Sequence, residues 1–189
     1  EGNHLVTAAV PATGVVPVGT GSHFNNFDLR NSFFWGKLQW KAYPNDYSKA
    51  HNYHWLHESG TTKMSGVLES EKPPLSNRVF YRYPDQISIT GTGSLPRPSV
   101  IGRIMENGEQ IFRKTYNPQG NVTSETDPLG RRTDYVYHAN GIDLLQIRPK
   151  QGTVSTATVT YDARHLPLSQ TDAAGQTTSF IWNGNGQLS

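Results

Sequence analysis

From Val100 onward the chain alternates apolar or aromatic residues with polar ones in runs of about six to nine, each ending in Gly, Asn, Asp or Pro. Such alternation bounded by turn formers predicts short β-strands joined in series as hairpins. The turns are expected near Asn107-Gly108, Asn117 to Gly120, Asp127 to Gly130, Ala139 to Gly141, Pro149 to Gly152, Asp162 to His165, Asp172 to Gly175 and Asn183 to Gly186. The pattern also repeats. Tyr116, Asp127, Gly130, Thr133, Tyr135, Tyr137 and Gly141 stand 45 residues before Tyr161, Asp172, Gly175, Thr178, Phe180, Trp182 and Gly186. A fixed period of this size marks a repeat array whose units lean on their neighbours. Thr133, Tyr135 and Tyr137 share one face, as do Thr178, Phe180 and Trp182, so a ladder of stacked rings is expected there.

Upstream the pattern is less regular. Alternation in FFWGKLQW predicts a half-buried strand with Phe34, Leu38 and Trp40 on one face and Phe33, Trp35, Lys37 and Gln39 on the other. A second strand is expected from Arg78 to Tyr83, with Val79, Tyr81 and Tyr83 opposite Arg78, Phe80 and Arg82. Residues Glu1 to Gly21 suggest an edge strand or extended connection, because two prolines interrupt any ladder. The turn-rich TGTGSLPRPS places a boundary near residue 99, between an aromatic-rich β region (1–99) and a repeat segment (100–189).

Composition supports an all-β chain. Eighteen glycines and 12 prolines, with many Thr, Asn and Tyr, suit tight turns and short strands better than long helices. Cysteine is absent, which removes disulfides and thiolate metal sites. Seventeen basic and 15 acidic residues are spread without a basic run, so neither nucleic acid nor a charged membrane surface is an expected partner. No apolar run approaches the roughly 20 residues that span a bilayer. The chain starts without Met and ends inside a repeat, so a piece of a longer protein is expected.

Candidate chemistry is sparse, and no cofactor is expected. Trp35, Trp40, Tyr53 and Trp55 could present rings to a glycan or a cell-surface protein, or could pack a β core, which the alternation favours. His51, His54 and His57 stand three apart; on a strand His54 opposes the other two and on a helix the three climb around the surface, so in neither case is convergence on a metal expected, and hydrogen bonds to loop carbonyls are. Asn121-Val122-Thr123 matches a glycosylation acceptor but reads as the start of a strand.

Tyr161-Asp162, and Tyr116-Asn117 followed by Gly120, Asn121 and Val122, resemble the unit of the Rhs or YD-repeat family, with His165 where that unit has Gly. The stretches HNYHWLH and PPLSNRVFYRYPDQ look like the region that precedes the first repeats in bacterial members. The resemblance implies serial antiparallel hairpins in a β-sheet that spirals into a shell, secreted or displayed on a bacterial surface, which encloses or presents a C-terminal toxin-like domain. Teneurin-like relatives imply an adhesive use instead. It also raises an autoproteolytic Asp-Pro-x-Gly core, to which Asp127-Pro128-Leu129-Gly130 is similar. The same turn recurs at Asp172-Ala173-Ala174-Gly175, which points to a structural turn without catalysis. A non-enzymatic scaffold is therefore expected, whose partners are other repeats of its own or a neighbouring chain, met through open strand edges that favour self-association.

Overall fold

The computed structural model describes residues 16–23, 30–58, 60–149 and 155–189. Twelve strands follow one another: β1 Asn31–Phe34, β2 His51–His57, β3 Met64–Lys72, β4 Val79–Arg82, β5 Val100–Met105, β6 Gly108–Tyr116, β7 Val122–Thr126, β8 Arg132–Tyr137, β9 Leu144–Pro149, β10 Ala157–Tyr161, β11 Pro167–Asp172 and β12 Thr177–Ser179. Each is hydrogen-bonded to the next in sequence, in one open antiparallel sheet. The one α-helix among the described residues, α1, spans Lys37–Ala42. The chain divides into two compact units, Glu1–Phe112 and Arg113–Ser189.

In the first unit, burial alternates along β2: Asn52, His54 and Leu56 point inward, while His51, Tyr53, Trp55 and His57 stay partly exposed. Leu56, Phe80, Tyr83 and Ala50 are the buried apolar side chains. Phe80 on β4 faces inward as the alternation requires, with Arg78 beside it. The 3₁₀ turn Val18–Thr20 covers the inner face near β5. The Glu109 carboxylate accepts the amides of Val18 (2.7 Å) and Gly19 (3.3 Å), which ties that turn to β6.

Two readings of this region change. The strand expected through FFWGKLQW stops at Phe34, and Lys37–Ala42 is helical. Lys, Leu, Gln, Trp, Lys and Ala favour a helix, and Gly36 opens it, its carbonyl accepting the Trp40 amide at 2.9 Å. Leu38 and Trp40 consequently lie exposed on the helix surface. The edge strand expected for Glu1 to Gly21 falls mostly outside the described residues; where it is described, Val18–Thr20 forms the 3₁₀ turn. Phe24 and Phe27, and the tip of the turn expected from Pro149 to Gly152, also lie outside them.

In the second unit the 45-residue period is written into the hydrogen bonding. Thr115 pairs with Ser124 and Tyr116 with Val122, with a register shift between them. Thr160 pairs with Ser169 and Tyr161 with Pro167, with the same shift. Hydroxyls of Thr115 and Ser124 meet at 2.8 Å, and those of Thr160 and Ser169 at 2.7 Å. The ladder of stacked rings does not form. Tyr135 lies opposite Ile147 and Tyr137 opposite Leu144, while the Tyr161 hydroxyl donates to the Leu144 carbonyl (3.1 Å) and the Trp182 indole to that of Pro167 (2.6 Å). Strand β9 lies between the rings of β8 and Tyr161 of β10, so Tyr135 and Tyr137 stand opposite aliphatic residues and Tyr161 reaches a backbone carbonyl.

Gly102 tests the packing of the first unit. A Cβ there would stand 2.3 Å from Thr20 Cγ2 and 2.7 Å from Ile111 Cδ1. Gly102→Ala is expected to lower stability by about 1–3 kcal/mol, the cost of overpacking, measured by chemical denaturation.

Candidate functional site

Three side-chain constellations stand out: the repeat turns, a buried polar cluster and a group of aromatic rings. The turns come first, since they contain the repeat-defining residues. Five begin with Asp or Asn at the end of a strand, whereas the turn to Gly141 begins with His138, whose carbonyl accepts the Gly141 amide at 2.8 Å. Asp127 Oδ1 accepts the amides of Leu129 and Arg131 at 2.9 and 3.0 Å. Asp162 Oδ1 accepts those of Arg164 and Leu166 at 2.8 and 3.0 Å. Asp172 Oδ1 does the same for Ala174 and Gln176, and Asn183 Oδ1 for Asn185 and Gln187. Asn117 Oδ1 takes the Asn121 amide at 2.9 Å. In every case the amide of the third residue on bonds back to the carbonyl of the Asp or Asn, closing the turn. That third residue has positive φ: Gly120 (80°), Gly130 (78°), His165 (65°), Gly175 (81°) and Gly186 (76°). Glycine suits the position because it has no Cβ to clash there.

This geometry explains the Tyr-Asp-x-x-Gly spacing. The Asp is the acceptor that organises the turn, and the Gly is the residue that must turn left-handed. The Leu166 amide, with help from Arg164, holds the Asp162 carboxyl below the usual carboxylate range. Asp127 is equally committed: Oδ1 carries two amides, and Oδ2 receives the Arg131 guanidinium at 2.5 Å. The two-amide acceptance by Oδ1 repeats at Asp172, where Gln176 stands in the place of Arg131.

His165 departs from the pattern. It occupies the left-handed position at the cost of a Cβ clash, and its Nδ1 lies 3.0 Å from both carboxylate oxygens of Asp143. Asp143 is nearly buried and also accepts the Asn140 amide at 2.7 Å. The His165 imidazole beside it holds its carboxyl below the ordinary range. The His165–Asp143 contact thus links the turn of one repeat to the loop that closes the previous one. His138, Asn140, Tyr161 and Asp162 line the same groove.

The buried polar cluster lies in the first unit. His54 is fully buried on β2, with Nδ1 3.1 Å from Asn31 Oδ1 and Nε2 3.1 Å from Glu69 and 3.2 Å from Arg30 Nη2. Arg78 donates to Ser70 Oγ (3.0 Å) and Asn52 Oδ1 (2.6 Å). Glu69 reaches this interior through a bulge. His54 pairs with Ser70 and Trp55 with Leu68, so Glu69 is the extra residue of β3 and turns inward beside Ser70. His51 and His54 therefore bond side chains, against the expected loop carbonyls: His51 Nε2 lies 2.9 Å from Glu71, which also accepts the Tyr81 hydroxyl at 2.5 Å. No group of three His, Asp or Glu among the described residues is placed to hold a metal. Sequence reasoning missed this cluster; its one signal was Asn52 and His54 sharing a face with Leu56.

The ring residues are largely spent on one another. Trp35 meets Trp40 and Tyr47 edge to face, with centroids 5.3 and 5.2 Å apart, and its indole donates to the Asp46 carbonyl. Tyr53 stacks on His51 at 4.2 Å, and the Trp55 indole donates to Ser32 Oγ at 2.9 Å. Trp40 keeps 45% of its surface exposed.

Two measurements probe these arrangements. Asn117→Ala removes both the turn acceptor and the Nδ2 bond to the Gly141 carbonyl (2.7 Å); a loss of about 1–3 kcal/mol is expected, and Asn117→Asp, which keeps the acceptor, should lose less. Burial drives the His54 pKa down, against the pull of Glu69. The unfolded chain then binds a proton at about pH 6.5 that the folded chain resists. Stability should be full above that pH and fall as the pH drops below it, read as a declining thermal midpoint.

A model of the RHS repeat matches residues 116–141 and 161–189, the two segments in which this turn geometry recurs. No curated protein matches the chain. Among solved structures, the crystal structure of TcdB2-TccC3 is similar at 12% identity and a TM-score of 0.45, over 75% of this chain; the match spans 9% of that one. Over those two segments the chain is thus similar to the RHS repeat, with Asn117 and His165 as departures from its Asp and Gly.

Proposed function

We propose that this chain is a non-enzymatic structural segment of a secreted or cell-surface bacterial protein, part of a β-shell of Rhs repeats that encloses or presents a C-terminal toxin-like domain. The observation that carries the reading is the return, 45 residues on, of the same two hairpins with the same register shift and the same amide-to-Asx bonds. A unit that repeats its hydrogen bonding in this way adds length to a wall.

Burial supports the same view. Ala50, Leu56, Phe80 and Tyr83, the buried apolar side chains among the described residues, all belong to the first unit. The second unit is held by strand pairing, turn acceptors and partly exposed side chains, with Leu168, Ile181 and Leu188 left largely open. A sheet of this kind gains from further strands at its edge and from contents against its face. The packing of Trp35, Tyr53 and Trp55 against neighbouring rings and polar groups favours a scaffold over a glycan-binding surface.

The last strand offers the test. The Phe180 amide donates to the Leu168 carbonyl, so by strand alternation the amides of Thr177 and Ser179 face away from β11. They would pair with the following repeat. The isolated chain is expected to self-associate as its concentration rises, and Ser179→Pro, which removes one outward donor, should weaken association at least about tenfold. Sedimentation velocity reads both; a chain that stays monomeric at high concentration would overturn the reading.

A further inference from the structure

The outer face of the first unit carries a small apolar hollow of about 170 Å³, between Val79 on β4, Ile101 and Arg103 on β5, and Gln110 and Phe112 on β6. Alternation places these side chains together: Gly102, between Ile101 and Arg103, points the other way and packs on Thr20. We propose that this hollow receives the C-terminal residue of a polypeptide, with its apolar side chain in the hollow and its carboxylate on Arg103. The inference is independent of the shell reading.

Size comes first. A cavity of about 150 Å³ holds a benzene ring, so one Leu, Ile or Phe side chain fills the space. Its walls are the side chains of Val79, Ile101 and Phe112 with the stems of Arg103 and Gln110, and Phe112 is 43% exposed at the rim. Charge narrows the class. Arg103 donates through Nε to Gln110 Oε1 at 3.0 Å, which holds the guanidinium plane. Among the described residues no carboxylate pairs with it. The remaining Nη–H donors form the fork that binds a carboxylate through both oxygens.

Geometry then separates the candidates. An Asp or Glu side chain brings the carboxylate without an apolar group beside it. A chain end bears both on one Cα, as the adjoining hollow and guanidinium require. A phosphate would satisfy the guanidinium and leave the hollow empty.

The probe is N-acetyl-leucine, titrated into the full chain while methyl resonances of Val79 and Ile101 are followed by NMR. Saturable shifts are expected, at least about tenfold weaker for N-acetyl-leucinamide, whose carboxylate is masked. Arg103→Gln, checked for folding by its thermal midpoint, should weaken acid binding similarly and leave amide binding unchanged. No saturable shift, or equal binding of acid and amide, overturns the proposal. Benzoate binding as tightly as N-acetyl-leucine would also overturn it, since the hollow would then serve small carboxylic acids and no chain end.

Discussion

The repeats depend above all on one interaction, the acceptance of two backbone amides by a single side-chain oxygen at the head of four of their turns. At Asp127, Asp162, Asp172 and Asn183 that oxygen sits within 3.0 Å of both donors. The turn so formed has no slack, which fixes the third residue in the left-handed region and makes Gly the natural occupant. It also fixes which strand residues face each other across the hairpin. Charge is incidental to the role, since Asn117 and Asn183 fill it as Asp does.

His165 shows what happens when the glycine is replaced. The backbone keeps the same conformation, and the side chain that the Cβ carries contacts Asp143 at 3.0 Å. A local penalty becomes a link between consecutive repeats. The first unit handles polar groups differently. It buries Arg30, Arg78, Glu69 and His54 together and pairs them with one another and with Asn31, Asn52 and Ser70, although Arg30 Nη1 and Arg78 Nε make no hydrogen bond there. Such a network tolerates little change, because removing one member leaves a buried neighbour without its partner.

Where a local rule decides the structure, the sequence was easy to read. The hairpins from Val100, their described turns and the period of 45 follow from alternation and from Gly, Asn and Asp at set spacings, and the alternation of β4 followed as well, whereas 51–57 was equally open to strand or helix. Local rules failed where partners are distant. Alternation through Phe33 to Trp40 mimicked a strand, yet helix-favouring residues after Gly36 and the mutual packing of Trp35, Trp40 and Tyr47 produced α1. The inward turn of Glu69 depends on a bulge that no residue in β3 announces. The hollow beside Arg103 depends on three strands meeting, and only coordinates could bring Val79, Ile101 and Phe112 together.

The shared shift in pairing, between Thr115 and Tyr116 and again between Thr160 and Tyr161, bears on how such a chain can change in length during evolution. Deleting one residue within a strand would move every later side chain in that strand to the opposite face and misplace its turn acceptor. Deleting a block of 45 would rejoin Thr115 to Tyr161 with the acceptor, the left-handed residue and the aromatic positions all in phase. Gain and loss of whole repeats is thereby the least disruptive change open to this gene, while small insertions are confined to the tips of its loops.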